Sequence, residues 1–174
     1  GTTWEGGVRV PSIIKFPNGL KPSIIDEPVM AIDWMPTFAN ITKSKLSQNK
    51  IDGKNIWPLL SGEVDQTPHK KLYFYYRVNE LHSIRMKEWT IPFSRTYRSL
   101  NGREGGHDGV TVKYDMNLIE NNELYNLSSD PEEKINVYDR FPEIAKKMEK
   151  LGEEARIELG DNLLGVKGIE NRGE

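Results

Sequence analysis

Hydrophobic positions along the first third of the chain change pattern twice. From Gly6 to Phe16 two glycines lead into Val8, Val10, Ile13 and Ile14, first alternating and then adjacent, before a turn at Pro17-Asn18-Gly19. This predicts a strand covered on both faces. In DWMPTFANIT the period becomes helical: Ile32, Met35 and Phe38 predict a buried stripe on a short helix, with Asp33 as N-cap and Pro36 in its first turn. Thr42 to Lys50 is polar and predicts a surface loop. IDGKNIWPLLSG then pairs a turn at Asp52-Gly53 with Ile56, Trp57, Leu59 and Leu60, which predict a short packed helix stopped by Gly62.

Aromatic and alternating positions dominate the middle of the chain. KLYFYYR, Lys71 to Arg77, predicts a strand, and HSIRMKEWTIPF, His82 to Phe93, predicts an antiparallel hairpin turning at Met86-Lys87-Glu88. A glycine-rich loop, NGREGGHDG, separates it from VTVKYDMN, and Leu124, Tyr125 and Leu127 close the sheet region before a turn at Asp130-Pro131. Pro142 to Leu159 is the clearest helix. Ile144, Met148, Leu151, Ala155 and Leu159 recur at helical spacing, Pro142 suits the first turn and Gly160 ends it. After Asp161 the tail is expected to wrap the surface or fray. The element order predicts an α+β fold: residues 1–62 form one region, and residues 63–174 a second, with an antiparallel sheet covered by helix 142–159.

Composition narrows the function mainly by exclusion. Lys and Arg number 24 against 26 Asp and Glu, for a formal net charge of -2. No basic excess favours a phosphate backbone, so nucleic acid is not an expected partner. The chain has no cysteine, which removes disulfides, thiolate metal sites and cysteine nucleophiles. No apolar run approaches the roughly 20 residues of a membrane span.

The opening stretch GTTWEGGVRVPSIIKFP closely resembles the segment that follows the active-site lysine of sulfatases. The likeness continues through IDWMPTFANI, IDGKNIWPLLSGE, LHSIRMKEWT, ELYNLSSDPEEKINV and the closing helix, from Gly1 to about Asp161. The resemblance implies the C-terminal part of a type I, arylsulfatase-like enzyme of the alkaline-phosphatase-like superfamily. Residues 1–62 would then be a remnant of its catalytic α/β core, and residues 63–174 its C-terminal subdomain. It further implies a full-length form that hydrolyses sulfate monoesters of glycans or aryl alcohols through a formylglycine and a divalent cation, generally calcium. The family's nucleophile arises within Cys-x-Pro-x-Arg or Ser-x-Pro-x-Arg. The only Ser-x-Pro here, Ser129-Asp130-Pro131, is followed by Glu132-Glu133 and predicts a turn. Asp161-Asn162 imitates the family's metal-binding Asp-Asn pair but stands at the end of the late helix. Accordingly no catalytic residue and no metal ligand is assigned to this chain, which is expected to be inactive alone. Its expected partners are the upstream catalytic part of the same polypeptide and a sulfated small molecule or glycan, in a periplasmic or extracellular compartment.

Several residues are candidates for supporting roles. Thr3, Glu5 and Arg9 are expected to brace the turn carrying the absent lysine, Arg9 alternatively lending positive field to an anionic substrate. Arg85 is expected to pair with a carboxylate. His107 and Arg103 lie in the glycine-rich loop and are candidate substrate contacts, against the plainer reading of a mobile surface loop. His69 is expected to be exposed in a polar link, and His82 to be structural within a strand. Tyr73, Phe74, Tyr75 and Tyr76 suit either a carbohydrate platform or core packing, which strand alternation favours for at least two of them. Rival readings are a phosphonate or phosphodiester hydrolase of the same superfamily, a non-catalytic module binding sulfated sugars, and a scaffold remnant without ligand. The two-faced apolar first strand also predicts self-association.

Overall fold

A computed structural model describes residues 2–17 and 19–170; Gly1, after the expected lysine, and Asn18, in the first expected turn, lie outside them. The chain divides into two compact units. One is Pro11–Lys70, and the other joins the residues up to Val10 to everything from Lys71 onward. The division thus falls after Lys70 and not after Gly62. The cause is that the link folds back into the first unit: Thr67 donates its N–H to Glu27 at 2.9 Å and its hydroxyl to the Pro28 carbonyl at 2.7 Å.

The strand expected from Gly6 to Phe16 does not form. Glu5–Val8 is a single helical turn, α1, and the chain beyond it has no ladder partner, leaving Val10 76% and Ile13 97% exposed. Alternating apolar residues make a strand only where neighbouring strands accept the backbone groups, and the described residues of Pro11–Lys70 contain none. That unit is instead built on α2 (Trp34–Thr42), entered through a 3-10 turn at Ala31–Asp33, and α3 (Trp57–Ser61). The buried side of α2 is also not the expected one. Ile32, Met35 and Phe38 are exposed, whereas Asp33, Pro36 and Thr37 are buried. Polar anchoring rotates the helix: the Thr37 hydroxyl donates to the Asp33 carbonyl at 2.6 Å and accepts from the Ile56 N–H at 3.0 Å. Asp33 does not cap α2 with its side chain; its carboxylate accepts from the Met30 and Lys54 amides, both at 2.8 Å. Ile56, Leu59 and Leu60 are buried as the pattern predicts.

The larger unit carries the sheet. β1 (Leu72–Tyr76), β2 (Glu80–Met86) and β3 (Trp89–Pro92) run antiparallel, β2 and β3 turning through Lys87 at φ 55°. β4 (Arg95–Ser99) and β5 (Asp115–Ile119) form a separate antiparallel ribbon around the glycine-rich loop. β6 (Tyr125–Asn126) completes the main sheet, in the order β1-β2-β3-β6. Helix α4 (Pro142–Leu159) packs on β2 and β3 around Leu81, Ile84, Ile91, Phe93, Leu124 and Met148. Its buried line runs through Ala145, Met148, Gly152 and Ala155, with Ile144 and Leu151 half-buried on its flank. Gly152 is required there, since a Cβ would stand 2.6 Å from Phe93 Cζ. Tyr73 and Tyr75 pack against this core, and the Tyr75 hydroxyl donates to the Gly160 carbonyl at 2.9 Å. The tail does not fray at Asp161: β7 (Gly160–Asp161) pairs with β8 (Val166–Lys167).

Candidate functional site

The Thr2–Val8 segment is tied to the larger unit by several polar contacts. The sequence Glu-Gly-Gly closes it into a turn, because a Cβ on Gly7 would lie 2.4 Å from the Thr2 carbonyl oxygen. Thr3 is buried, and its hydroxyl accepts from Arg95 Nη2 at 3.0 Å. The Glu5 carboxylate is buried and accepts from Arg85 Nη1 at 3.1 Å, with Arg9 Nη1 at 3.9 Å. The Glu5 N–H donates to Glu133 Oε2 at 2.6 Å. Trp4 meets Tyr97 and Tyr125 edge to face at 5.4 and 6.0 Å. Thr3, Glu5 and Arg85 therefore hold the turn against β2 and β4, while Arg9 is largely solvent-exposed.

Arg95 organises this cluster. It is 3% exposed, and its Nη1 donates to the carbonyls of His82 at 2.7 Å and Phe93 at 3.1 Å. Its guanidinium also lies 5.3 Å from the Trp4 ring. Among the described residues no carboxylate forms an ion pair with it and its Nε has no partner; burial brings its pKa down to about 10. Burial likewise pushes Glu133 up to about 7, against the Glu5 N–H, which favours the ionised form. His82 is buried, bonded through Nε2 to Glu80 at 2.9 Å, and burial lowers its pKa.

Thr2, Thr3, Arg77, His82, Tyr97 and Arg98 line a small recess of about 10 Å³ beside this cluster. Neither Arg103 nor His107 lines it. Arg103 braces its own loop, donating to the carbonyls of Leu100 and Lys113 and pairing with Asp115 at 2.8 Å. His107 is exposed, and its carbonyl accepts the Val110 N–H. In the other unit, His69 corrects the expectation of an exposed histidine: its ring is buried and donates through Nε2 to both oxygens of Asp33 at 2.9 Å. Arg95, Glu133, Arg77 and Arg98 carry no signal in the sequence that marks them out. Nothing local distinguishes Arg95 from an exposed strand arginine, and Glu133 sits in Asp-Pro-Glu-Glu, which reads as a turn.

The described residues contain no group of three or more His, Cys, Asp or Glu side chains arranged to hold a metal ion. The Asp161 carboxylate is committed to Arg156 Nε and the Leu163 N–H, both at 3.0 Å. Ser129 lies in a turn in which Asp130 Oδ2 accepts the Lys134 and Ile135 amides. Neither calcium, which asks for about six to eight oxygens, nor a formylglycine fits the residues present, and no chemical step is derived through them.

A small antiparallel sheet backed by one long helix, with the Thr2–Gly7 segment pinned beside it by a buried arginine, makes an α+β arrangement. Residues 67–167 match the C-terminal region of aryl-sulfatase, and residues 2–98 match the C-terminal part of N-sulphoglucosamine sulphohydrolase. The chain belongs to the sulfatase family and corresponds to its C-terminal region. It is 31% identical over 170 residues to human arylsulfatase H, covering 90% of this chain and 30% of that protein. Bovine arylsulfatase A is 29% identical over 149 residues, 83% of this chain and 29% of the relative. A sulfatase of Formosa agariphila is 31% identical over 147 residues, 82% of this chain and 25% of the relative. The fold is shared with a solved structure from work on the metabolism of multiple glycosaminoglycans by Bacteroides thetaiotaomicron, with TM-score 0.58 and 22% identity over 80% of this chain and 27% of that one. The chain thus spans about three tenths or less of these relatives. No helix among the described residues is long and apolar enough to cross a membrane.

Proposed function

We propose that this chain is the C-terminal part of a sulfatase whose full-length form hydrolyses sulfate monoesters of glycans or aryl alcohols. The two family matches, which together run from residue 2 to residue 167, carry this reading. In it the formylglycine nucleophile and the calcium ion come from the upstream catalytic part of the same polypeptide. The residues of this chain bind, orient and support. Arg95, Arg85 and Glu133 fix the backbone of Thr2–Val8 through charge-assisted hydrogen bonds, which hold a catalytic turn more rigidly than neutral ones. His107, exposed on the loop that Arg103 braces, is the chain's contact to the alcohol part of the substrate. The chain alone is inactive, and the compartment is periplasmic or extracellular, as the family resemblance implies.

The test is hydrolysis of an aryl sulfate, with calcium present, by the chain alone and by a longer polypeptide carrying the upstream coding sequence and matured in a formylglycine-forming host. Turnover by the longer form only is the expected result. Turnover of a phosphonate or phosphodiester in place of the sulfate would move the protein to the neighbouring branch of the superfamily. Salt-sensitive binding of sulfated sugars with no turnover by either form would make it a binding module.

A further inference from the structure

We propose that Asn117 is a positioning residue: its side-chain amide clasps the base of the loop carrying His107 and links it to the Thr2–Val8 turn, so that the two keep a fixed spacing. The use of that spacing in catalysis rests on the sulfatase reading, in which His107 meets the alcohol part of the substrate.

The loop leaves β4 after Ser99 and returns at Asp115. Its tip is folded on itself: the Val110 N–H donates to the His107 carbonyl at 2.9 Å, and a Cβ on Gly106 would lie 1.9 Å from the Val110 carbonyl oxygen. Among the described residues, no hydrogen bond or ion pair joins residues 104–112 to the rest of the chain. The placing of His107 is therefore set at the base of the loop.

At that base, Leu100–Arg103 forms a tight turn closed by the Arg103 N–H on the Leu100 carbonyl at 3.0 Å. Asn101 at φ 51° and Gly102 at φ 81° are both left-handed, the conformation that Asn-Gly supplies. The turn brings the Asn101 side chain to β5. Asn117 Nδ2 donates to Asn101 Oδ1 at 2.8 Å, and Asn101 Nδ2 donates back to Asn117 Oδ1 at 3.3 Å. Asn101 Nδ2 also donates to Asp115 Oδ2 at 3.0 Å, the oxygen that pairs with Arg103 Nη2 at 2.8 Å. A reciprocal amide pair fixes rotation as well as distance, because each side chain both donates and accepts. The same Asn117 Nδ2 carries a second hydrogen and lies 3.4 Å from the hydroxyl of Tyr97, its partner in the ribbon register. The Tyr97 ring meets Trp4, inside the turn, edge to face at 5.4 Å. One amide thus stands between the loop and the turn. Its contact with Tyr97 is the longest hydrogen bond of the series, and the one a small disturbance breaks first.

The experiment has two arms. In the first, amide hydrogen exchange of the chain is followed at Arg103 and Val110, which report the loop, and at Glu5 and Gly7, which report the turn. Amides of α4 serve as the reference for global unfolding. Asn117→Ala should speed exchange about 5–10-fold at both loop and turn and leave α4 unchanged. Ser99→Ala, which removes the acceptor of the Asn101 N–H, should speed it at the loop only. Leu118→Ala, on the opposite face of β5, loosens the ribbon without touching the clasp and should leave Glu5 and Gly7 unchanged. A rise confined to the loop in Asn117→Ala, or an equal rise at Glu5 and Gly7 in Leu118→Ala, would overturn the proposal. In the second arm, kcat/KM for an aryl sulfate is measured in the longer polypeptide for His107→Ala, Asn117→Ala and the two together. Asn117→Ala should lower it about fivefold, and the double variant should lose less than the product of the two single losses. Independent losses, or no loss in either single variant, would mean that the clasp does not position His107. Linked exchange with no turnover by the longer form would sink the sulfatase reading and leave the clasp. Turnover with exchange at the turn indifferent to Asn117 would do the reverse.

Discussion

The guanidinium of Arg95 donates through Nη2 to the hydroxyl of Thr3 at 3.0 Å, across 92 positions of sequence. This bond joins the N-terminal segment to the first strand of the β4–β5 ribbon, and the same side chain ties down the carbonyls of His82 and Phe93. Arg95→Met removes all three donations and should cost about 2–4 kcal/mol, with Thr3→Val costing about 1 kcal/mol. Urea unfolding of both variants and the double variant checks it. A double variant no worse than Arg95→Met would locate the Thr3 effect in this bond.

Glu133 gives the stability a pH dependence of defined sign. Its pKa stands at about 7 in the folded chain, above the ordinary 4.5, so the fold favours its protonated form. The stability it contributes is full below pH 4.5 and is lost as pH rises toward 7. Glu133→Gln keeps an acceptor for the Glu5 N–H and should remove that loss. Thermal unfolding across pH 4.5–7 is the measurement, and wild type should fall relative to the variant as pH rises. His82, held below its ordinary 6.5 by burial, acts in the opposite direction, and the comparison cancels it.

Asp33 and His69 make the corresponding anchor in the unit Pro11–Lys70. The carboxylate collects the His69 ring and the amides of Met30 and Lys54. Asp33→Ala strands the buried His69 ring and two part-buried amides and should destabilise this unit by about 2–4 kcal/mol; His69→Ala leaves two of the bonds and should cost about 1–3 kcal/mol. Amide hydrogen exchange should show the difference first at Ile56, whose N–H donates to Thr37. Equal effects of the two variants would mean that the backbone donors contribute little.

His107 is exposed, so replacing it tests contact and leaves folding aside. In the longer polypeptide His107→Ala should lower kcat/KM for the native sulfated substrate about tenfold with an unchanged Tm. Arg103→Ala should instead loosen the loop, because its donors hold Leu100 and Lys113. Unchanged kcat/KM in His107→Ala would make the loop a surface feature only.

Ile13 and Ile24 are 97% and 91% exposed. Apolar side chains at this exposure favour burial against another surface. The isolated chain should self-associate, and Ile13→Lys together with Ile24→Lys should suppress this. Sedimentation over a range of concentrations checks it, and a clean monomer at high concentration would count against it.

Short-range contacts explain what was legible in the sequence. Helix α4 could be read because Pro142, the repeating Ile144–Met148–Leu151–Ala155 spacing and Gly160 all lie within one element. The β2–β3 hairpin could be read for the same reason, its partners meeting across the turn at Lys87. The first segment misled because alternation describes side chains, whereas a strand also needs a neighbour for its backbone. For α2 the apolar stripe yielded to Asp33 and Thr37, since buried polar groups must be bonded and their partners stood on other elements.

The α+β class, the late helix, the hairpin and the family are all written in the order of the residues, the family through the motif beginning Gly-Thr-Thr-Trp-Glu-Gly-Gly. Which polar residues matter to one another was settled by the three-dimensional packing alone. Arg95 meets Thr3 across 92 residues, Glu133 meets Glu5 across 128 and His69 meets Asp33 across 36. Such pairs leave no periodic trace in the chain, because they are chosen by where packing brings two surfaces together and by the cost of burying a charge without a partner.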